Sequence, residues 1–426
     1  MRTSSRTGAR RLALVFTAAL AAAALSACGH ANSAAAGPSA APSSSSPAAG
    51  SAPADPTTAA AVSATTSAPT AASGMPGSPG SPGSPAPAGG PVPAGFAATS
   101  VTFVSADEAF VLGTAPCAQA PCTSIVRTLD RGATWVGLPA PVVALGDPYS
   151  NAGLAAAWGI WFANPDDGFV FGNGLWATTD GGEHWTNVVS PGGSITDLEI
   201  IDDQVLALTD TCTAQSGCAQ TETLVRRPLA GGNWSVVTRL SGPRGIATQA
   251  RVAAVLDDGG VVVTGNGGLT FAAHAIPCDA TGSAGAAVAV TGPDSLSLLC
   301  AGDAAMGSVQ KTVYVSDDLG ATWTKAGSPP LGGDPAGISG GTAEQQVVAA
   351  ESGASFLYYS ADGGTRWSTA YQADDGGAGF NDLGFTTTTD GVVVHGPVYT
   401  NGNSYGMPGQ LLLTSDGGAS WTTARF

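Results

Sequence analysis

The chain has 426 residues, enough for two or three average domains or for one large all-β domain with tails. Sixty glycines, 29 prolines and only 11% charged residues suit turn-rich β structure with a low-complexity segment, and exclude a helical bundle. A formal net charge of −16 excludes the basic footprint that nucleic-acid binding needs, and disfavours charge-driven attachment to anionic lipid.

The first predicted element is an export signal over residues 1–27. Arg2, Arg6, Arg10 and Arg11 form a positive leader, and the apolar run from Leu12 to Leu25 is too short for a comfortable membrane span. Leu25-Ser26-Ala27-Cys28-Gly29 looks like the lipobox of bacterial lipoproteins. That resemblance implies lipidation of Cys28, an extracytoplasmic protein at the outer face of the cytoplasmic membrane, and membrane contact through this lipid only. Loss of the four leader arginines from a total of 15 basic residues leaves 11 against 31 acidic ones, a net −20. Residues 28–95 follow as a tether of Ala, Ser, Pro, Gly and Thr with no aromatic side chain before Phe96. Such a segment buries too little apolar surface to offset its ordering entropy and is expected to be disordered. As a coil it spans on the order of 45 Å, and about 200 Å when drawn out.

From Phe96 to Phe426 the chain repeats an eight-residue box, [Ser/Thr]-x-Asp-x-Gly-x-[Thr/Ser]-Trp. Good copies run Thr128 to Trp135, Thr178 to Trp185, Ser316 to Trp323, Ser360 to Trp367 and Thr414 to Trp421. Thr264 to Phe271 is a weaker copy with Asn266 for the acid, and Arg227 to Trp234 keeps only Gly231 and Trp234. The closing aromatics lie at 135, 185, 234, 271, 323, 367 and 421, so the interval is 37 to 54 residues. Several short strands per interval predict an all-β fold, a seven-bladed β-propeller of four-stranded antiparallel blades over 96–426. In the second blade the strands are expected at 159–162, 168–172, 175–178 and 185–189. In the seventh they are expected at 382–385, 392–394, 410–413 and 421–426. Closure of the ring is expected without an interleaved blade.

The box has a physical reading. The hydroxyl residue closes the third strand, and the carboxylate accepts hydrogen bonds from the amides of the following turn. Glycine supplies the positive φ of a tight hairpin, and the Trp starts the outer strand with its ring against a neighbour. Asp130, Asp180, Asn266, Asp318, Asp362 and Asp416, with Trp135, Trp185, Trp234, Phe271, Trp323, Trp367 and Trp421, are therefore read as structural residues. These motifs resemble the BNR or Asp-box repeat of sialidases, of photosystem II assembly-factor-like propellers, of the sortilin ectodomain and of some xyloglucan hydrolases. The resemblance implies the propeller fold, with the boxes at its rim, and is silent on activity. A sialidase would need an arginine triad. The domain has nine arginines, four of them at or beside boxes, and the Arg-Ile-Pro run expected in the first blade is absent.

Six cysteines remain beside Cys28, an even number suited to an oxidising compartment. Their spacing predicts local bridges Cys117–Cys122 and Cys212–Cys218 within hairpin loops, leaving Cys278–Cys300. The four histidines are scattered, so no metal site is expected. No cofactor motif is present. Asp374 and Asp375 lie with Tyr371 in the connection 371–380, expected as a loop at the channel mouth, and Tyr149 lies in another long connection. These are the candidate ligand positions. The leading expectation is a monomeric, non-catalytic binding or scaffold module for an envelope protein or glycan. The alternatives are an Asp-box glycoside hydrolase, which would need paired carboxylates, and an assembly chaperone resembling the photosystem factor.

Overall fold

The computed structural model describes residues 5–7, 89–146, 156–210, 221–242, 245–278, 286–396 and 408–426. Cys28, most of the 28–95 segment, Tyr149, and Cys212 with Cys218 and their expected bridge lie outside the described residues. A three-residue strand, β1 (Ser5–Thr7), precedes the blades. The first blade is β2 (Ala97–Phe103), β3 (Ala109–Thr114), β4 (Thr123–Thr128) and β5 (Val136–Leu138). After β6 (Ala144–Leu145) the second blade is β7 (Ala156–Phe162), β8 (Gly168–Gly172), β9 (Leu175–Thr178) and β10 (Thr186–Asn187). The third comprises β11 (Ser194–Ile201), β12 (Gln204–Asp210), β13 (Thr221–Pro228) and β14 (Ser235–Ser241). The fourth comprises β15 (Ile246–Gln249), β16 (Val252–Asp257), β17 (Gly260–Thr264) and β18 (Ala272–Ala275). The fifth is β19 (Ala287–Val290), β20 (Leu296–Ala305), β21 (Ser308–Ser316) and β22 (Thr324–Gly327). The sixth is β23 (Asp334–Ser339), β24 (Gln346–Glu351), β25 (Gly353–Ser360) and β26 (Ser368–Gly376). The seventh is β27 (Phe380–Phe385), β28 (Gly391–His395), β29 (Gln410–Thr414) and β30 (Thr422–Thr423). Every blade is an antiparallel meander, so the chain is a seven-bladed propeller.

The core lies between blades. Seven apolar clusters occupy the seven seams, each built from one face of a blade and the opposing face of the next. Phe110 and Phe162 stack across the first seam with ring centroids 3.7 Å apart. The clusters follow from the strands, which are short apolar runs packed on both faces. At the axis, β-bulges turn polar side chains of inner strands sideways. Ile160 N donates to Ser100 Oγ at 3.2 Å, Ile246 N to Asp197 Oδ2 at 2.7 Å, and Val101 N to Asp382 Oδ2 at 2.9 Å. Each of these three acceptors sits at or beside a register shift in its own strand.

The ring closes without interleaving. All four strands of the seventh blade come from the C-terminal segment, and Gly90 pairs instead with Gly137 at the rim of the first. The closing seam holds Val101, Val111 and Val126 against Val392, Val394 and Leu411. Ala98 N donates to Gly409 O at 3.0 Å, and Phe426 packs against the rings of Phe96 and Trp135 at 4.8 and 5.0 Å. The outer strands β10 and β30 are only two residues long, shorter than the sequence expectation. They pair on one side only, and single bonds from Val188 N to Leu175 O and from Ala424 N to Leu411 O continue them.

In the boxes, the Asp416 carboxylate shows the pattern. Oδ1 accepts from Thr414 Oγ1 at 2.8 Å and Ser420 N at 2.9 Å, and Oδ2 from Ser420 Oγ at 2.6 Å, while Gly418 N donates to Thr414 Oγ1. Asp130 and Asp318 repeat it, and Asn266 keeps the Oδ1 bond from Thr270 N but reverses the other, its Nδ2 donating to Thr270 Oγ1. The third blade lacks the acid. There the Arg227 guanidinium lies between the rings of Trp234 and Phe169, at 4.9 and 5.4 Å. These are cation–π contacts across the seam between the second and third blades. Among the described residues two disulfides are formed, Cys117–Cys122 across the β3–β4 loop and Cys278–Cys300 from beyond β18 into β20.

Candidate functional site

Inner strands of a propeller pair on one side only and turn a free edge towards the axis. In this chain some of those edges are taken. β6 adds in parallel to β7, with Ala144 opposite Ala156 and Leu145 opposite Ala157. β1 lies between β15 and β27, antiparallel to both, with Arg6 opposite Thr248 on one side and Gly384 on the other. Among the described residues, β2, β11, β19 and β23 end their sheets without a further partner strand. The axial edges thus accept extended backbone from elsewhere in the chain.

Of the sequence-predicted ligand residues, the three that are described sit elsewhere. Tyr371, Asp374 and Asp375 are not in a loop at the channel mouth but in β26, the outer strand of the sixth blade. Pairing with β25 decides this: Leu357 stands opposite Tyr371 and Gly353 opposite Gly376, so the strand runs on to its two glycines. Asp374 faces solvent. Asp375 is turned into the seam with the seventh blade, where its side chain is 2% exposed beside His395 at 1%. Its Oδ2 accepts from His395 Nε2 at 2.6 Å and from Ser355 Oγ at 2.7 Å, and its Oδ1 from Gly377 N at 2.9 Å. Burial works to raise the Asp375 carboxyl, and the Ser355, His395, Gly377 and Ala378 donors outweigh it, holding it below the ordinary carboxylate range. His395 Nδ1 lies 3.3 Å from Tyr371 Oη. Burial, with the Asp375 charge, pushes the Tyr371 phenol up.

Ser, Asp and His therefore meet, in the wrong order for nucleophilic catalysis. The imidazole and the hydroxyl both donate to the carboxylate, so the imidazole does not stand beside the serine oxygen as it does in a triad. The group is a closed polar clamp between the sixth and seventh blades. Sequence reading missed Ser355 and His395, although a histidine ending the run Val392-Val393-Val394 marks a strand whose polar end must find a buried partner.

A cleft of about 280 Å³ opens between the seventh and first blades at the box end. Phe103 and Leu413 supply apolar wall, Thr386, Ser415 and Ser420 hydroxyls, and Arg131 and Asp390 charge. Arg131 holds φ of 60°, where the second, fourth, sixth and seventh boxes have glycine, and its Nε binds Asp107 at 2.7 Å while Nη1 lies 3.6 Å from Asp390. The cleft thus contains one carboxylate, already facing an arginine. Among the described residues one group could approach a metal, Asp180, Glu183 and His184 within 4.8 Å. His184 there fills the place that Thr134 or Ser420 fills in other boxes, its Nδ1 2.7 Å from Asp180 Oδ2.

No protein-family model matches the chain, and no curated protein does. Among solved structures it is similar to YCF48 bound to D1 peptide, at 16% identity, with 76% of this chain and 95% of that chain covered and a TM-score of 0.50. It is similar also to YCF48 from Cyanidioschyzon merolae, at 14% identity, 77% and 95% coverage and a TM-score of 0.47. An ancestral GH74 enzyme matches at 14% identity, 79% of this chain, 55% of that one and a TM-score of 0.44. At such identities what the chain shares with the YCF48 bound to D1 peptide is its fold, the β-propeller.

Proposed function

We propose that this chain is an exported Asp-box propeller, lipid-anchored at Cys28, that takes up an extended segment of an envelope protein along its axis. The observation that carries this reading is the axial pairing: β6 on β7, and β1 between β15 and β27. Strand addition of this kind supplies affinity through main-chain hydrogen bonds and leaves selectivity to alternate side chains. Residues 5–7 precede Cys28 and leave with the signal segment, which frees the edges of β15 and β27 in the exported protein. Two disulfides agree with an oxidising compartment. The YCF48 structure of like fold is bound to a D1 peptide, which supports a peptide as the class of ligand. The hydrolase reading needs two carboxylates flanking a cleft, and the cleft at the closing seam offers Asp390 alone.

The test uses the chain from residue 28 with Cys28→Ser. Peptides captured from envelope digests are resynthesised with alternate backbone amides N-methylated. Binding should fall at least tenfold on methylation of one alternate set. Equal binding of both methylated forms, or turnover of fluorogenic glycosides, would overturn the reading.

A further inference from the structure

Lys311 is the one lysine of the described residues that is fully buried, at 0% exposure. It lies on β21, where Val309, Lys311 and Val313 alternate inward, so the pleat carries its side chain into the protein. Its Nζ lies within hydrogen-bond distance of four backbone carbonyls, Val309 at 2.9 Å, Leu331 and Gly332 at 3.0 Å and Gly333 at 2.7 Å, so its three N–H groups serve four acceptors with one bond shared. Tyr358 covers the group, its hydroxyl donating to the same Gly332 oxygen at 2.9 Å. The two glycines are needed for this arrangement. A Cβ on Gly332 would lie 2.8 Å from Tyr358 Oη, and one on Gly333, at φ of 73°, would lie 2.7 Å from Glu351 N.

Four carbonyl oxygens converging at these distances form a cation site, of the kind in which carbonyl dipoles replace a hydration shell. We infer that the connection between the fifth and sixth blades is built as a monovalent-cation site whose cation, the Lys311 ammonium, is tethered to the fold. Burial pushes the ammonium down to about 8, so it keeps its proton at neutral pH. The charge pins residues 331–333 to the tip end of the β20–β21 hairpin, beside the Val309 N to Leu331 O and Gly333 N to Gly307 O bonds. That hairpin turns at Met306, which is 98% exposed, directly beside these bonds, so they anchor its outer end. Removal of the side chain leaves an oxygen-lined cavity shaped for a primary ammonium or a potassium ion.

Two measurements test this on the exported chain. In the unmodified protein, nitrogen-15 spectra of lysine ammonium groups should show one Nζ with protons protected from exchange at neutral pH. Lys311→Ala should melt several degrees lower, and n-propylammonium or potassium should recover at least half of that loss. Tetramethylammonium at equal ionic strength should not, because it has no N–H and is too large. Lys311→Met, which fills the cavity, should gain nothing from any cation. Absence of a protected ammonium, or equal recovery with tetramethylammonium, overturns the inference. If Lys311→Ala does not fold, the spectrum of the unmodified protein decides alone.

Discussion

Position seven of the box carries Thr134, His184, Thr270, Thr322, Arg366 and Ser420, and each donates its backbone N–H to the box's third residue. Side-chain donors from Thr134, Thr322 and Arg366 hold Asp130, Asp318 and Asp362 below the ordinary carboxylate range, Asp362 down to about 2. At Asp180 and Asp416 partial burial pushes upward, and the His184 and Ser420 donors outweigh it. Depressed values mean that the folded protein binds fewer protons than the unfolded chain. The stabilisation is complete above the unfolded pKa of about 4 and is lost as pH falls towards the folded values. Acid titration of stability should therefore drop between about pH 4 and 2, and Asp362→Asn should make that drop shallower. The fourth box, with Asn266 in the acid's place, has no carboxylate to add to it. At the clamp, His395→Leu leaves the buried Asp375 carboxylate without its imidazole. It should cost about 3 kcal/mol by urea denaturation without changing peptide binding, since the pair is closed to solvent.

Among the elements, the box hairpins and the second and third strands were legible because turn chemistry and period-two runs are local. The strand pair β8 and β9 falls at the expected residues, 168–172 and 175–178. β26 was not legible, because Asp374-Asp375-Gly376-Gly377 reads as a turn and only its pairing with Gly353 extends it. The clamp shares that cause: Ser355, Asp375 and His395 meet through the stacking of two blades, a contact between residues up to 40 positions apart. Lys311 was legible in principle, since a lysine between Val309 and Val313 on alternate positions points inward. The two bridges differ in what they close. Cys117–Cys122 spans 5 residues and Cys278–Cys300 spans 22. Loop-closure entropy assigns them about 2 and about 3 kcal/mol. Paired Cys→Ser variants measured in urea should show the second as the costlier loss.

For the whole molecule the joint between the seventh and first blades is the one the backbone does not bridge. Valines, the Ala98 and Val101 amide bonds and the Phe426 ring hold it instead. Phe426→Ala should cost about 1 kcal/mol, and hydrogen exchange at Ala98 should quicken before that at other inner strands. Unchanged protection there would remove Phe426 from the closure. The box tryptophans divide along the same joints. Trp185, Trp234 and Trp323 donate Nε1 to carbonyls of the preceding blade, Pro139, Val189 and Ala275. Trp135, Trp367 and Trp421 donate to a glycine of their own turn. The ring thus carries its own set of reporters: three indole resonances register the opening of separate joints, three more register their turns alone, and one spectrum can tell which joint yields first.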